Sequence, residues 1–344
     1  MSDPVPPVAA PRPRVDLWLE SRYRKLQRGL PQTVFFCPEC KGDRRRRRDC
    51  RKCEGFGKLT RESVQELIGR RLVPAMQGKH GVFHGAGRED IDVLMLGRGR
   101  PFVFEVQGAR NPDVDLAALK LEIEQRAGGA IELAPFVRVE RRRVAYWKET
   151  HFDKIYVAEV AVDAPPTDAG LAAARAFDGM ALQRTPQRVA HRRADLDRER
   201  ALRVLALEPL PDGALRLRVH CQHGTYVKEW ISGDEGRTTP SLASLLGVGA
   251  RCRQLDVEEI LTDDVDGPRL PKPAPREARS VRAGPGAAIA AGAPARQPQR
   301  LRPGPDRASA RLGLGAPGRE ARRRRPRRHR APPRAGVVRR AGAL

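Results

Sequence analysis

Two clusters of residues in this chain carry chemistry. Cys37-Pro-Glu-Cys40 and Cys50-Arg-Lys-Cys53 form two CxxC knuckles separated by nine residues. Four thiolates fill a tetrahedral shell around zinc and leave no open position, so the spacing implies a structural metal and not a catalytic one. Gly42, Gly55 and Gly57 supply the turns that such knuckles need. Unrelated free thiols or a redox CxxC fit so close a pair less well. Five consecutive arginines, Arg44 to Arg48, lie between the knuckles. Such a run suits either a solvated loop or contact with phosphates.

The second cluster is Gly87-Arg88-Glu89-Asp90-Ile91-Asp92, which places three acids after a glycine-rich loop and ahead of an apolar stretch. Its plainest reading is a turn whose acids cap the backbone and pair with Arg88. Two chemistries also fit. Asp90 or Asp92, with Glu105 and Gln107 on a following strand, imitates the acidic set of a metal-dependent nuclease. Alternatively, one carboxylate suffices to cleave a uracil–ribose bond and remake it at carbon, acting as nucleophile or base with no cofactor. That reaction needs a flipped base, and hence an apolar or aromatic pocket and a basic groove.

Several elements position these groups. VDLWLESRYRKLQRGLP, from residue 15, reads as a short basic amphipathic stretch. Ser63 and Glu66 form a capping box that starts a helix, which Pro74 interrupts or kinks. IDVLML and FVFEV read as two strands joined by a tight turn at GRGRP. Asn111 and Pro112 are expected to open a helix lined by Leu116, Leu119 and Ile123, with Glu122 pairing Arg126 and Gly128–Gly129 ending it. KIYVAEVAV, residues 154–162, is a strand. Residues 202–221 form a hairpin in which Leu215, Leu217, Val219 and Cys221 alternate with Arg216, Arg218 and His220. Cys221 and Cys252 read as small core residues.

The chain has 344 residues, with 66 Lys and Arg against 42 Asp and Glu, a formal charge of +24. That surplus favours an anionic partner, nucleic acid first. No unbroken apolar segment is long enough for a membrane helix, and the Pro-rich N-terminus has no apolar signal core. A cytoplasmic protein with reduced thiols is expected. From residue 268 the composition becomes Pro, Ala, Gly and Arg without periodicity, which reads as a disordered basic tail. The expected organisation is an N-terminal segment over 1–30, a zinc element over 31–60, a catalytic domain over 61–267 and the tail over 268–344.

FHGAGREDIDVLMLGRGRPFVFEV and GTYVKEWISGDEGRTTPSLASLLGVGARCRQLDV resemble the archaeal-type tRNA pseudouridine synthases that modify uridines 54 and 55 of the T loop. The similarity spans roughly residues 20 to 262 and includes the CxxC pair followed by SVQELI. VHCQHGTYVKEW is also similar to a Cys-x-x-Gly-Thr-Tyr segment of the bacterial-type enzymes. The resemblance implies an α+β pseudouridine synthase fold: a mixed, mostly antiparallel sheet, flanking helices and a cleft across it. It implies tRNA as substrate, no catalytic or nucleotide cofactor, and structural zinc on Cys37, Cys40, Cys50 and Cys53. Carried over by motif, Asp90 is the catalytic aspartate, with Arg88 two positions before it. Tyr156 is the tyrosine that stacks on the target uracil, Lys228 pairs with the aspartate, and Val227 and Leu255 line the base pocket. Such relatives carry an RNA-binding domain ahead of the cysteines, where this chain has 36 residues. The expectation is that this domain is supplied separately or that the start is truncated. A truncated, non-catalytic RNA-binding relative is the remaining alternative to the nuclease.

Overall fold

The computed structural model describes residues 13–191, 194–262 and 267–271. The Pro-rich start and nearly all of the segment read as a basic tail lie outside the described residues. The chain opens with β1 (Val15–Lys25), then α1 (Val64–Ala75), β2 (His80–Gly85), β3 (Leu94–Ala109), α2 (Leu116–Ala127), β4 (Ile131–Leu133) and β5 (Val137–Val139). It continues through α3 (Arg142–Glu149), β6 (Lys154–Val162), α4 (Asp168–Arg175), β7 (Asp178–Arg184), α5 (Gln187–Ala190), β8 (Asp197–Pro209) and β9 (Leu215–Cys221). It closes with α6 (Val227–Ser232), β10 (Thr238–Thr239), α7 (Leu242–Leu246) and β11 (Ala250–Ile260). Among the described residues the strands form one eleven-stranded sheet, ordered β10-β7-β8-β9-β6-β11-β3-β1-β4, with β2 also pairing β3 and β5 pairing β1. Every pairing is antiparallel except β11 with β3, where Asp256 faces Leu94 and Val257 faces Met95. The architecture is the expected α+β one: a mixed, mostly antiparallel sheet with helices against it.

Elements whose signal is local form as their sequence dictates. Ser63 Oγ caps α1 by accepting from the Glu66 backbone N–H at 3.2 Å, but Glu66 Oε2 accepts from the Ser63 hydroxyl at 3.0 Å instead of the Ser63 backbone N–H, so only half of the expected capping box forms. Pro74 falls in the last turn of α1 and does not interrupt it, because the helix ends one residue later. β6 covers the expected 154–162, and in β9 Leu215, Leu217, Val219 and Cys221 are all buried. Cys221 is a core residue, whereas Cys252 is half-buried against the core.

Three expectations fail, each for a physical reason. Residues 15–25 are not an amphipathic N-terminal segment but a strand in the sheet interior, buried at every position from Leu19 to Lys25. β1 has β3 on one side and β4 and β5 on the other, and both its faces are covered. Leu19 and Tyr23 join the main core. The polar residues between them find protein partners instead of water: Glu20 ion-pairs with Arg143 at 2.6 Å, and Arg22 donates to Thr262 Oγ1 at 2.9 Å. Second, GRGRP is not a turn between two strands. β3 runs unbroken from Leu94 to Ala109 and bulges there: β1 advances from Tyr23 to Lys25 while its partner changes from Arg100 to Met95. The glycines serve positive φ and close approach, not reversal. Gly97 has φ +57, and a Cβ on it would sit 2.2 Å from the Glu258 carbonyl oxygen of β11. Third, α2 starts at Leu116 with Asp115 as its cap, accepting from Ala117 and Ala118 N–H at 2.9 and 3.0 Å. Asn111 instead donates to the Ala75 carbonyl at the end of α1. Gly128 ends α2 and Glu122 pairs with Arg126, as expected.

Gly97→Ala is therefore expected to destabilise the fold by about 2 kcal/mol or more, combining a left-handed backbone with a backbone clash. An unchanged urea midpoint would show that β11 does not depend on this approach.

Candidate functional site

Asp90 lies on the loop between β2 and β3, and its side chain is about half exposed, at 49%. Two cations reach it from elements distant in sequence. Lys228, on α6, places Nζ 3.6 Å from Asp90 Oδ2 and 2.9 Å from Asp92 Oδ2. Arg188, on α5, places a terminal nitrogen 3.9 Å from Asp90 Oδ2 while its Nε contacts the buried Glu229 at 2.5 Å. Lys228 thus bridges both aspartates and sits closer to Asp92 than the motif reading suggested. Burial lowers the Lys228 pKa, but the hydrogen bond to Asp92 and the two carboxylates outweigh it and raise it overall. Burial raises the Asp92 pKa, and its Lys228 partner more than reverses this.

The surrounding backbone fixes these groups. Gln183 on β7 brackets Tyr226 with two hydrogen bonds, donating to its carbonyl at 3.0 Å and accepting from its N–H at 2.9 Å. That pins the start of α6, two residues before Lys228. Arg28 donates to the Asp92 carbonyl at 2.6 Å and to Asp256 Oδ2 at 2.8 Å, and Asp256 also accepts from the Leu94 N–H. The far end of the aspartate loop is thereby tied to β11.

Arg88 is exposed, whereas Glu89 is buried. The plain reading, in which the acids pair with Arg88, does not hold: Glu89 lies 2.7 Å from Arg100 Nε and accepts from the Tyr23 hydroxyl at 2.8 Å. Tyr156 projects from β6 into electrostatic reach of Arg100, Asp90 and Glu89. Burial, followed by the Cys221 thiol, pushes its pKa well up, so its hydroxyl stays protonated at working pH. Val227 and Leu255 are buried, at 4% and 6% exposure, within the main core. Arg188 and Arg100 were not singled out from sequence, and Glu89 was named there only as one of three acids. The nuclease set does not assemble. Among the described residues no metal-binding group brings Asp90, Asp92 and Glu105 together, and Glu105 sits on β3 opposite Trp18 and Val82. There it bonds His84 and Gln107.

The cysteines do converge. All four sulfurs lie within 4.8 Å of one another, with Cys37–Cys50 and Cys40–Cys53 each at 3.7 Å. A metal–sulfur distance of about 2.3 Å in a regular tetrahedron requires sulfur separations of about 3.8 Å, so the donor set fits one tetrahedral ion. Gly42 and Gly57 adopt φ +75 and +82, as the knuckle turns require. The Cys40 backbone N–H lowers the Cys37 pKa to about 7, whereas burial raises those of Cys40 and Cys50, the latter to about 11, so the metal-free cluster is not uniformly thiolate. Arg44 to Arg48 are all exposed on the connecting loop. Among the described residues no helix is long and apolar enough to cross a membrane.

The fold and site define an α+β sheet domain with a four-cysteine cluster that could hold a metal ion and two exposed aspartates, Asp90 and Asp92, met by cations. The model of the Pus10 C-terminal family matches residues 18–261, and the chain belongs to that family. Curated relatives bear the name tRNA pseudouridine synthase Pus10. The protein of Methanothrix thermoacetophila is 46% identical over 245 residues, covering 71% of this chain and 53% of the relative. That of Halorubrum lacusprofundi is 45% identical over 251 residues, covering 71% and 58%. That of Methanothermobacter marburgensis is 44% identical over 246 residues, covering 71% and 60%. The chain therefore spans between about half and three fifths of the length of these relatives. Among solved structures, a chain of a Cbf5-Nop10-Gar1 complex covers 57% of this chain, and 45% of its own, at 18% identity and a TM-score of 0.34, too loose a likeness to bear on the fold.

Elemental analysis of protein purified under reducing conditions is expected to find about one metal ion per chain. Replacing Cys37 and Cys40 by Ser should abolish that stoichiometry and lower the melting temperature. A metal content near zero in fresh, reduced protein would remove the tetrathiolate assignment.

Proposed function

We propose that this chain isomerises uridine to pseudouridine in the T loop of tRNA, at position 54, 55 or both, with Asp90 as the catalytic residue. The observation that carries this reading is the convergence of Lys228 and Arg188 on one half-exposed carboxylate. It occurs in a chain whose relatives are named tRNA pseudouridine synthases. The reaction gains and loses no atoms overall. The bond from N1 of uracil to the ribose C1′ breaks, the base turns, and C5 bonds to C1′. The C5 proton leaves, and N1 takes one up. Asp90 initiates this either by adding to the sugar or by removing a sugar proton. Lys228 and Arg188 orient its carboxylate and balance its charge. Tyr156 supplies the ring against which the flipped base stacks. Val227 and Leu255 form the apolar wall behind that base, and Arg88, exposed two residues before Asp90, contacts the RNA backbone. No nucleotide cofactor enters this chemistry.

The four cysteines hold zinc as a structural ion. A closed shell of four thiolates stiffens the loop that displays Arg44 to Arg48 and offers no position to a substrate. Those arginines meet tRNA phosphates, and a formal charge of +24 suits a polyanionic substrate. A tRNA substrate and four thiolate ligands both suit work in the cytoplasm.

The test is pseudouridine mapping on an unmodified tRNA transcript incubated with the purified chain. Asp90→Asn is expected to abolish the product while tRNA affinity stays within a few-fold, since the amide neither attacks nor accepts the proton. Product from Asp90→Asn at the wild-type rate would end the assignment. Tyr156→Phe should keep most activity, whereas Tyr156→Ala should lose roughly ten- to a hundredfold, from a stacking contribution of about 1–3 kcal/mol. Equal, severe losses in both variants would point to the hydroxyl as an acid–base group instead.

A further inference from the structure

Beneath the Asp90 loop lies a set of charged side chains that touches no solvent. The Lys25 side chain is 0% exposed, Glu89 0% and Arg100 1%. Lys25 reaches up from the end of β1, and its Nζ lies within hydrogen-bonding distance of three carbonyl oxygens: Leu30 at 2.9 Å, Asp90 at 3.1 Å and Ile91 at 3.3 Å. An ammonium has three N–H donors and no acceptor, so these carbonyls use its full capacity. Arg100, on β3, donates to the Ala86 carbonyl at 2.8 Å, and Gln32 donates to the Gly87 carbonyl at 3.1 Å. Glu89 closes the set by holding Arg100 at 2.7 Å, the Tyr23 hydroxyl at 2.8 Å and Lys25 at 3.9 Å.

Four carbonyls of one loop, at residues 86, 87, 90 and 91, are thus held from below by three side chains. Burying charge this completely costs free energy that a hydrophobic pack would not, so the arrangement is a poor device for stability alone. It is a good device for fixing a backbone. A lysine that binds the Asp90 carbonyl sets where the Asp90 side chain leaves the chain, while the carboxylate itself stays free to meet a substrate.

We infer that Lys25 is a positioning residue for the proposed reaction, and that Lys25, Arg100 and Glu89 act with Tyr23 and Gln32 as a clamp on the Asp90 backbone. This rests on the reading of Asp90 as catalytic. The clamp makes no contact with RNA in this scheme, so its loss should slow the chemical step and spare substrate capture. Misplacing a reacting group by about 1 Å costs on the order of a hundredfold in rate.

The experiment compares the full chain with Lys25→Met, Lys25→Arg, Tyr23→Phe and Asp90→Asn, each assayed for pseudouridine formation well below its melting temperature. Lys25→Met keeps an unbranched chain, one atom shorter, and donates nothing. It is expected to lower kcat roughly ten- to a hundredfold while KM and tRNA affinity change less than about threefold. Lys25→Arg restores donors to the carbonyls and should recover part of kcat. Tyr23→Phe removes one oxygen and leaves the ring in the core, so it decides the matter if Lys25→Met does not fold. It should lower kcat several-fold with KM unchanged. A wild-type kcat in a folded Lys25→Met, or in Tyr23→Phe where Lys25→Met does not fold, overturns the clamp. So does a loss that appears in KM alone. The two readings fail separately. An active Asp90→Asn overturns the catalytic assignment, and an inactive Asp90→Asn beside a fully active Lys25→Met overturns the clamp and leaves the assignment standing.

Discussion

Arg100 and Glu89 meet 2.7 Å apart with at most 1% of either side chain exposed. Much of the domain is organised around that contact. Arg100 belongs to β3 and Glu89 to the loop that precedes it, while Tyr23, their shared neighbour, belongs to β1. Removing one member of such a pair leaves the other buried and uncompensated, which typically costs about 3–5 kcal/mol. Burial lowers the Arg100 pKa, but the Glu89 carboxylate outweighs it and raises the pKa overall, so the guanidinium stays charged throughout the working range. The pair therefore couples the β1–β3 register to the position of the aspartate loop. A slip in register would turn Tyr23 to the other face of the sheet and strand Glu89.

The same coupling explains what could be read from the sequence and what could not. α1, β6 and β9 have a local signal: an S-x-x-E cap sequence, a short apolar run, and strict alternation with one face apolar. β1 has no such signal. Its polar positions are buried, and their partners Arg143 and Thr262 lie far away in sequence. Alternation in VDLWLESRYRK therefore looked like a wet face. GRGRP looked like a turn because Gly and Pro are turn residues, but the demand for glycine at position 97 comes from the β11 backbone, which a local window does not contain.

The site divides in the same way. The four cysteines stand in a motif whose spacing carries meaning by itself, whereas Asp90 and Lys228 took their expected roles from the resemblance to a known family. Arg188 lies on a four-residue helix with no such motif, and only the fold brings it to within 3.9 Å of Asp90. Glu89 was visible as one of three acids, yet its partners sit on two different strands, so its opposite fate from Asp90, buried against exposed, belongs to tertiary structure. Lys228 was legible as a cation for the loop. Its closer contact with Asp92, 2.9 Å against 3.6 Å, depends on how α6 is pinned through Gln183 and Tyr226.

The parallel pairing of β11 with β3 also has a consequence for synthesis. β1 and β11, near opposite ends of the described domain, are the two strands that flank β3 in the sheet order. A nascent chain that has emerged only as far as β9 holds β3 paired with β1 and β6 paired with β9, but the two halves have no strand to join them. β6 then presents an unpaired edge, and β3 an unpaired end at Leu94 and Met95 beyond the stretch that β2 covers, the kind of surface on which partly made chains associate. Only when residues 250–260 leave the ribosome does one strand insert between them, pairing antiparallel with β6 and parallel with β3. The last strand of the domain is thus its keystone, and the halves on either side of it wait as separate sheets until translation has passed that point.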